Sequence, residues 1–433
     1  MRLRLLFLAG LAALAAGCAK LTLAWADLDG RGPPARPALF DGAPPDIERW
    51  ESEEAPRLRA LLQAHIYGFM PEKSAARLVS RRIVDPAAFD GAGVLEEYEV
   101  VASATFGGET RDSAPFYVDV LLPAGADGPV PAIVMETFCP RWDTIPHPGL
   151  ARPDGAGACG DGSLFAGAMT YVFGRYIATP PIDEILARGY AVAAIYPGEA
   201  IPDSRAPGIA ALEALAAGHD APATRWGAIA AWAWMYSRVA DILEADERID
   251  RDGLVAWGHS RYAKAALVAA AFDPRIDAVI AHQSGTGGAA LNRGKMGETV
   301  REIADRYPHW FAPAYAAYAG REDEMPVDQH HLLALIAPRP VFLGNARRDV
   351  WSDPGGTFRA AKGASPAYAL YGARGLDQDR LVPYRPDADI AFWIRPGTHG
   401  IVKEDWPAFL DFLDAHFGAK DERKTVAGAR RGP

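Results

Sequence analysis

Apolar residues in this chain fall into two spacings that alternate. Short, nearly continuous apolar runs occur at residues 116–122, 132–135, 191–195, 254–257, 278–281, 341–344 and 391–394. Runs of that length read as strands buried on both faces. Between them the period lengthens. Within 224–245 the positions Ile229, Trp232, Tyr236, Val239 and Leu243 recur three and four apart, the stripe of a helix laid on a core. Residues 57–64, 265–271 and 403–416 read as further helices. Strand alternating with helix predicts a three-layer α/β fold, a mostly parallel sheet with helices on both faces. Such sheets bind ligands beyond the carboxyl ends of their strands, so the chemistry is sought just after each run. Residues 139–181 and 284–331 are longer than plain links, and long insertions on that edge shape clefts.

The ends of the chain follow other patterns. Arg2 and Arg4 precede an apolar stretch over 5–16, too short to span a bilayer comfortably, and Leu14-Ala15-Ala16-Gly17-Cys18 follows. This predicts a signal peptide over 1–18, of lipoprotein type with Cys18 as the acylated residue. The protein is then exported, to the periplasm or outer membrane of a bacterium, and meets a membrane only through that lipid or anchor. Residues 19–90 read as an N-terminal extension with a lead-in helix, and 91–418 as the α/β domain. Residues 419–433, charged and poor in apolar side chains, read as a disordered tail. Length and composition, 433 residues and 49% hydrophobic, suffice for a large core. A net charge of -10 carries no basic stripe for nucleic acid. After Cys18 only Cys139 and Cys159 remain, and an even pair in an oxidising compartment predicts a disulfide closing a short loop.

One junction carries chemistry. Gly258-His259-Ser260 lies where the run at 254–257 gives way to the helix at 265–271. A serine on a sharp strand-to-helix turn is a nucleophile elbow, the mark of an α/β-hydrolase. A serine hydroxyl needs a base, usually histidine oriented by a carboxylate. His399 follows the last strand and precedes the last helix, where that fold keeps its base. His282, His330 and His331 lie in apolar or helical settings and read as structural. The acid belongs between Ser260 and His399 in chain order, and Asp349, in the loop after 341–344, takes that place. Asp353, next to Pro354, reads as a turn or helix cap. The backbone N–H of Arg261 is an oxyanion donor by position, and its guanidinium is a second candidate. Lys264 stands one helical turn beyond Ser260 and so can face the same cleft.

Gly258-His259-Ser260-Arg261-Tyr262-Ala263-Lys264 resembles the Gly-x-Ser-Arg-x-Gly-Lys elbow of the glucuronoyl esterases, carbohydrate esterase family 15. Further blocks agree in order: Trp226-Gly227-Ala228-Ile229, Ser284-Gly285-Thr286-Gly287-Gly288, Gly297-Glu298-Thr299, Pro308-His309-Trp310-Phe311, Val327-Asp328-Gln329-His330, Ala337-Pro338-Arg339-Pro340 and Asp349-Val350-Trp351-Ser352-Asp353-Pro354. The resemblance spans roughly residues 61–417. It implies an α/β-hydrolase fold and cleavage of esters that join glucuronic or 4-O-methylglucuronic acid branches of xylan to lignin alcohols. Carried over by motif, Ser260 is the nucleophile, His399 the base and Arg261 the oxyanion support. Lys264, Glu298 and Trp351 contact the uronic sugar, through hydroxyl-gripping charges and an indole face.

Two departures stand out. Many members keep a glutamate just after the sixth strand, where this chain has Gln283. A neutral amide can orient an imidazole but does not stabilise imidazolium, so the resemblance to bacterial members with an aspartate in the next loop points to Asp349. The other is Ala263 in place of glycine, tolerated if its backbone is helical. The expectation is a serine esterase working through an acyl-enzyme, with no metal or cofactor, as a monomer acting on a glucuronic acid-bearing polysaccharide. Two alternatives remain: another carbohydrate ester hydrolase such as an acetyl esterase, and a non-catalytic surface lipoprotein that binds glucuronoxylan.

Overall fold

Each short apolar run becomes a strand of one sheet, and the sheet extends beyond them. A computed structural model describes residues 32–152, 174–177 and 179–418. The predicted leader and tail, with Cys18, Cys159 and most of the 139–181 insertion, lie outside the described residues. The strands are β1 (Lys73–Ala87), β2 (Gly93–Phe106), β3 (Glu109–Asp112), β4 (Phe116–Pro123), β5 (Val130–Glu136), β6 (Ala191–Ile195), β7 (Ile249–His259), β8 (Ala278–His282), β9 (Val341–Ala346) and β10 (Ile390–Arg395). Their spatial order is β1-β2-β4-β6-β5-β7-β8-β9-β10, with β3 beside β2. The stretch from β6 to β10 is parallel throughout, and β1 to β4 join it antiparallel.

Side-chain alternation sorts the sheet into two cores. In β7, Leu254 and Ala256 join one apolar cluster while Val255 and Trp257 join the other. The first cluster takes in helices α1 (Ala55–Leu62), α2 (Arg205–Leu215), α3 (Ala228–Leu243), α4 (Arg261–Phe272) and α5 (Pro354–Leu370). The second is closed by α6 (Asp405–Phe417), through Trp406, Phe409 and Leu413. Helices therefore cover both faces, the three-layer arrangement the alternation implied. Helix α3 is buried almost all round, and its polar tips find partners: Trp232 Nε1 donates to the Ile201 carbonyl at 3.0 Å and Tyr236 Oη to that of Trp257 at 2.6 Å.

Two regions depart from the pattern. The sheet begins at residue 73: β1 lies wholly before the boundary read at residue 90 and pairs with β2 beyond it, and Trp50, Leu58 and Leu62 of the extension lie in the same core. Strand β1 is mostly exposed and its apolar residues come in pairs, so no alternation marks it. Charge holds it instead: Arg82 pairs with Glu97 at 2.6 Å and Arg81 with Glu96 at 2.9 Å. Helix α5 was also unmarked, since three glycines and Pro366 lower its intrinsic propensity. Asp353 caps its N-terminus, accepting from Gly356 N at 2.8 Å, and burial of Phe358, Ala361, Ala364 and Tyr368 supplies the rest.

Candidate active site

Strand β7 ends at His259 and α4 begins at Arg261, leaving Ser260 alone on the turn at φ 55, ψ -118. A side chain at positive φ costs on the order of 1–3 kcal/mol and persists only where the surroundings fix it. They do so here. Ser260 N–H donates to the His282 carbonyl at the end of β8 (2.8 Å), and its carbonyl accepts from Ala263 N at 3.1 Å. A Cβ at Gly258 would stand 2.2 Å from the Tyr262 carbonyl oxygen, so only glycine lets strand and helix meet this closely. Ala263 lies inside α4 and is fully buried, a conformation open to any L residue. Tyr262 fills the space between Phe138 (4.8 Å) and Trp232 (5.2 Å).

His399 and Asp349 come from the loops that leave the adjacent parallel strands β10 and β9. His399 Nδ1 lies 2.7 Å from Asp349 Oδ2. Burial pushes the Asp349 carboxyl up, but the His399 imidazole and hydrogen bonds from Ser352 outweigh that and hold it below the usual range. An ionised carboxylate only accepts, so Nδ1 carries the proton of this bond, the tautomer that leaves the lone pair of a neutral imidazole on Nε2. The ring of His259, next to Ser260, lies 4.7 Å from that of His399. A cavity of about 470 Å3 borders this loop, with Arg348, Thr398, His399 and Glu404 among its walls.

Arg261 N begins α4, and a first-turn N–H has no acceptor within its helix. Its guanidinium is held from several sides. Nη1 donates to Asp203, and the plane lies near the rings of Trp310 (5.0 Å) and Phe138 (5.4 Å). Asp203 also accepts from Trp310 Nε1 at 2.7 Å and from His309 Nε2 at 2.9 Å. Burial acts to raise the Asp203 carboxyl, but these donors hold it at about 2. Arg261 Nε is buried with no hydrogen-bond partner among the described residues.

Lys264, Glu298 and Trp351 lie together beside the elbow. Lys264 Nζ donates to the carbonyls of Ser284 and Thr286, the latter at 2.7 Å. Burial lowers its ammonium to about 8, although the Glu298 charge acts to raise it. Glu298 N–H donates to the Trp351 carbonyl at 3.1 Å. Gly297, at φ +90, allows that approach, since a Cβ there would lie 2.1 Å from the Val350 oxygen. Trp351 is 41% exposed, with the Arg306 guanidinium 5.5 Å from its ring.

Sequence reasoning missed Asp203, and left two further supports without partners: the histidine pair that includes His282, read only as structural, and Gln283, noted only as a departure. Asp203 follows β6, an edge position that could have flagged it. His259 and His282 meet with Nδ1 atoms 3.0 Å apart beneath the elbow, and His282 Nε2 stands 3.4 Å from Asp405. Burial, with the charges of His399 and His282, pushes His259 well below its ordinary value. The third is Gln283, whose side-chain amide bonds on both sides of His399. Cys139 is buried and disulfide-bonded, while the partner read for it, Cys159, is outside the described residues. Among the described residues no cluster of His, Cys, Asp and Glu is placed to hold a metal ion, and no helix is long and apolar enough to cross a membrane.

Comparison with known proteins identifies what the chain as a whole is similar to. The family model described as glucuronyl esterase, fungi, matches residues 221–372. A carbohydrate esterase from an unknown prokaryotic organism is 33% identical over 386 residues, covering 85% of each chain. A 4-O-methyl-glucuronoyl methylesterase of Hypocrea jecorina is 36% identical over 156 residues, 34% of each chain. Among solved structures, a promiscuous CE15 esterase from a marine bacterial metagenome superposes with TM-score 0.76 at 30% identity, covering 89% of this chain and 98% of that one. A glucuronoyl esterase from Solibacter usitatus gives 0.73 at 31%, covering 91% and 100%.

Proposed function

This chain belongs to carbohydrate esterase family 15, and from that membership we propose that it hydrolyses glucuronoyl and 4-O-methylglucuronoyl esters linking xylan branches to lignin alcohols. The observation that carries the reading is the 2.7 Å bond from His399 Nδ1 to Asp349, formed beside a serine held at positive φ. Ser260 Oγ attacks the ester carbonyl carbon as its proton passes to His399 Nε2. The carbonyl electron pair moves onto oxygen, met by the Arg261 N–H and guanidinium. Collapse of the tetrahedral intermediate expels the alcohol, which takes the proton from His399. Water then adds to the acyl-enzyme with His399 as base again, and the uronate leaves as Ser260 regains its proton.

Two of the three Lys264 protons are bonded to carbonyls, which leaves one for a sugar hydroxyl. The Glu298 carboxylate would accept from a hydroxyl, and the exposed Trp351 indole would pack on a sugar face. The leader supports export of this enzyme, with Cys18 as the lipid acceptor and residues 91–418 forming most of the catalytic domain.

A wider ester range is the second reading, and the relative described as promiscuous supports it. Parallel assays of the mature protein on a benzyl glucuronate ester and on acetylated xylan test both. Cleavage of the uronate ester with little acetate release is expected. Acetate release alone would make it an acetyl esterase. Failure on both substrates, with no fluorophosphonate labelling of Ser260, would leave a polysaccharide-binding protein.

A further inference from the structure

Gln283 directly follows β8, with φ 53 and a side chain only 1% exposed. Its main-chain N–H donates to the Gly344 carbonyl of β9 at 2.8 Å, so its backbone is fixed by the sheet. The side-chain amide reaches the loop beyond β10. Oε1 accepts from Gly400 N at 2.8 Å, and Nε2 donates to the Thr398 carbonyl at 3.2 Å. These two backbone groups flank His399. The partners dictate the amide's orientation: a main-chain N–H only donates, and a carbonyl only accepts.

We propose that Gln283 is a positioning residue, a clamp that fixes the main chain on both sides of His399 so that its imidazole keeps the bond to Asp349. The proposal rests on the reading of His399 as the base. An amide is the side chain this site requires, because it offers one acceptor and one donor at the necessary separation. An ionised glutamate could still accept from Gly400 but could not donate to Thr398, and would set a negative charge against that carbonyl. Two duties are thus divided between two strand ends. Asp349 supplies the charge that faces the imidazole, and Gln283 supplies the orientation of the loop that carries it. The competing idea is that position 283 is a vacated acid site, indifferent to what occupies it or ready to take a carboxylate back.

The variants Q283A, Q283E, D349N and the double variant D349N/Q283E separate these ideas. Each is measured for kcat and KM on a benzyl glucuronate ester, and for the rate at which a fluorophosphonate labels Ser260. The second readout needs no sugar, so an error in the substrate leaves it intact. Misplacing a catalytic group by about an ångström costs roughly a hundredfold. Q283A should therefore lose about 10- to 100-fold in kcat and in labelling rate. Its KM should stay within about twofold and its melting temperature close to wild type, a split that a general loss of structure would not give. Q283E should lose at least as much, and should not raise D349N. The downfield Nδ1 proton of His399 should broaden or vanish in both Q283A and Q283E. Wild-type rates in Q283A would overturn the clamp. So would a Q283E enzyme as active as wild type, or recovery of D349N by Q283E. Should Q283A fail to fold, the isosteric Q283E and the double variant still decide the question. A wild-type protein that hydrolyses no ester but labels normally would refute the substrate while the clamp stood. One that does neither would refute the base and the clamp together.

Discussion

The Asp349 carboxylate divides its oxygens between two tasks: Oδ2 meets His399 Nδ1 at 2.7 Å, and Oδ1 accepts the Ser352 N–H at 3.3 Å. The second bond fixes the carboxylate so that the first has one geometry. Asp349→Asn keeps the shape but removes the charge that stabilises imidazolium and selects the useful tautomer. Its kcat should fall by about three to four powers of ten, as in other hydrolase triads. Kinetics on a benzyl glucuronate ester, with circular dichroism to confirm folding, check this. A variant within about threefold of wild type, under 1 kcal/mol of barrier, would reduce Asp349 to a loop carboxylate.

Asp203 helps hold Arg261 in place, because their ion pair ties the start of α4 to the loop that precedes α2. Asp203→Asn weakens that pair without emptying the space. Its kcat/KM should fall by about tenfold or more, less than the 100- to 1000-fold typical of losing an oxyanion donor outright. The deciding measurement is a double-mutant cycle with Arg261→Ala. If Asp203 works through the arginine, adding Asp203→Asn to Arg261→Ala should change little. Full additivity would disconnect the two residues.

How legible these residues were depended on distance along the chain. Ser260, His399 and Asp349 each follow a strand whose apolar run is plain, so the fold's own rule placed them. Asp203 lies 58 residues from Arg261, and Gln283 acts on backbone 115 and 117 residues away. No spacing or composition announces such contacts. Gln283 was conspicuous only as an amide where the resemblance led one to expect an acid, and its bonds to Thr398 and Gly400 required the structure. Strand β1 stayed hidden because cross-strand ion pairs stabilise it in place of an alternating buried face. Helix α5 stayed hidden because burial and the Asp353 cap overcame its glycines and Pro366.

Glu136 ends β5 fully buried, and neither carboxylate oxygen has a hydrogen-bond partner among the described residues. Burial raises its pKa well above 4.5. The folded state therefore retains a proton that the unfolded chain releases, and stability falls as pH rises from the unfolded value towards the folded one. Glu136→Gln removes that titration. Its melting temperature relative to wild type should climb as pH rises above the ordinary carboxylate range. A difference that stays constant as pH rises would show that Glu136 is solvated or paired.

Cys139 should offer no free thiol in the mature protein, since it is disulfide-bonded in the structure. The predicted closure to Cys159 spans about twenty residues, worth roughly 3 kcal/mol. Thiol titration of the unfolded, unreduced protein checks the bond, and reduction should lower the melting temperature. A stoichiometric reaction at Cys139 before reduction would refute it.

Ser260 holds φ 55 where the nucleophile must stand, a conformation glycine enters freely and serine does not. Folding and reaction therefore prefer different residues at one position. Under selection for persistence alone, drift would replace this serine with glycine, and the resulting protein would be harder to unfold and chemically silent. Inactive descendants of such an enzyme should accordingly be sturdier than their working relatives at this turn, and a glycine at position 260 would mark a lineage that has abandoned ester chemistry while keeping its fold.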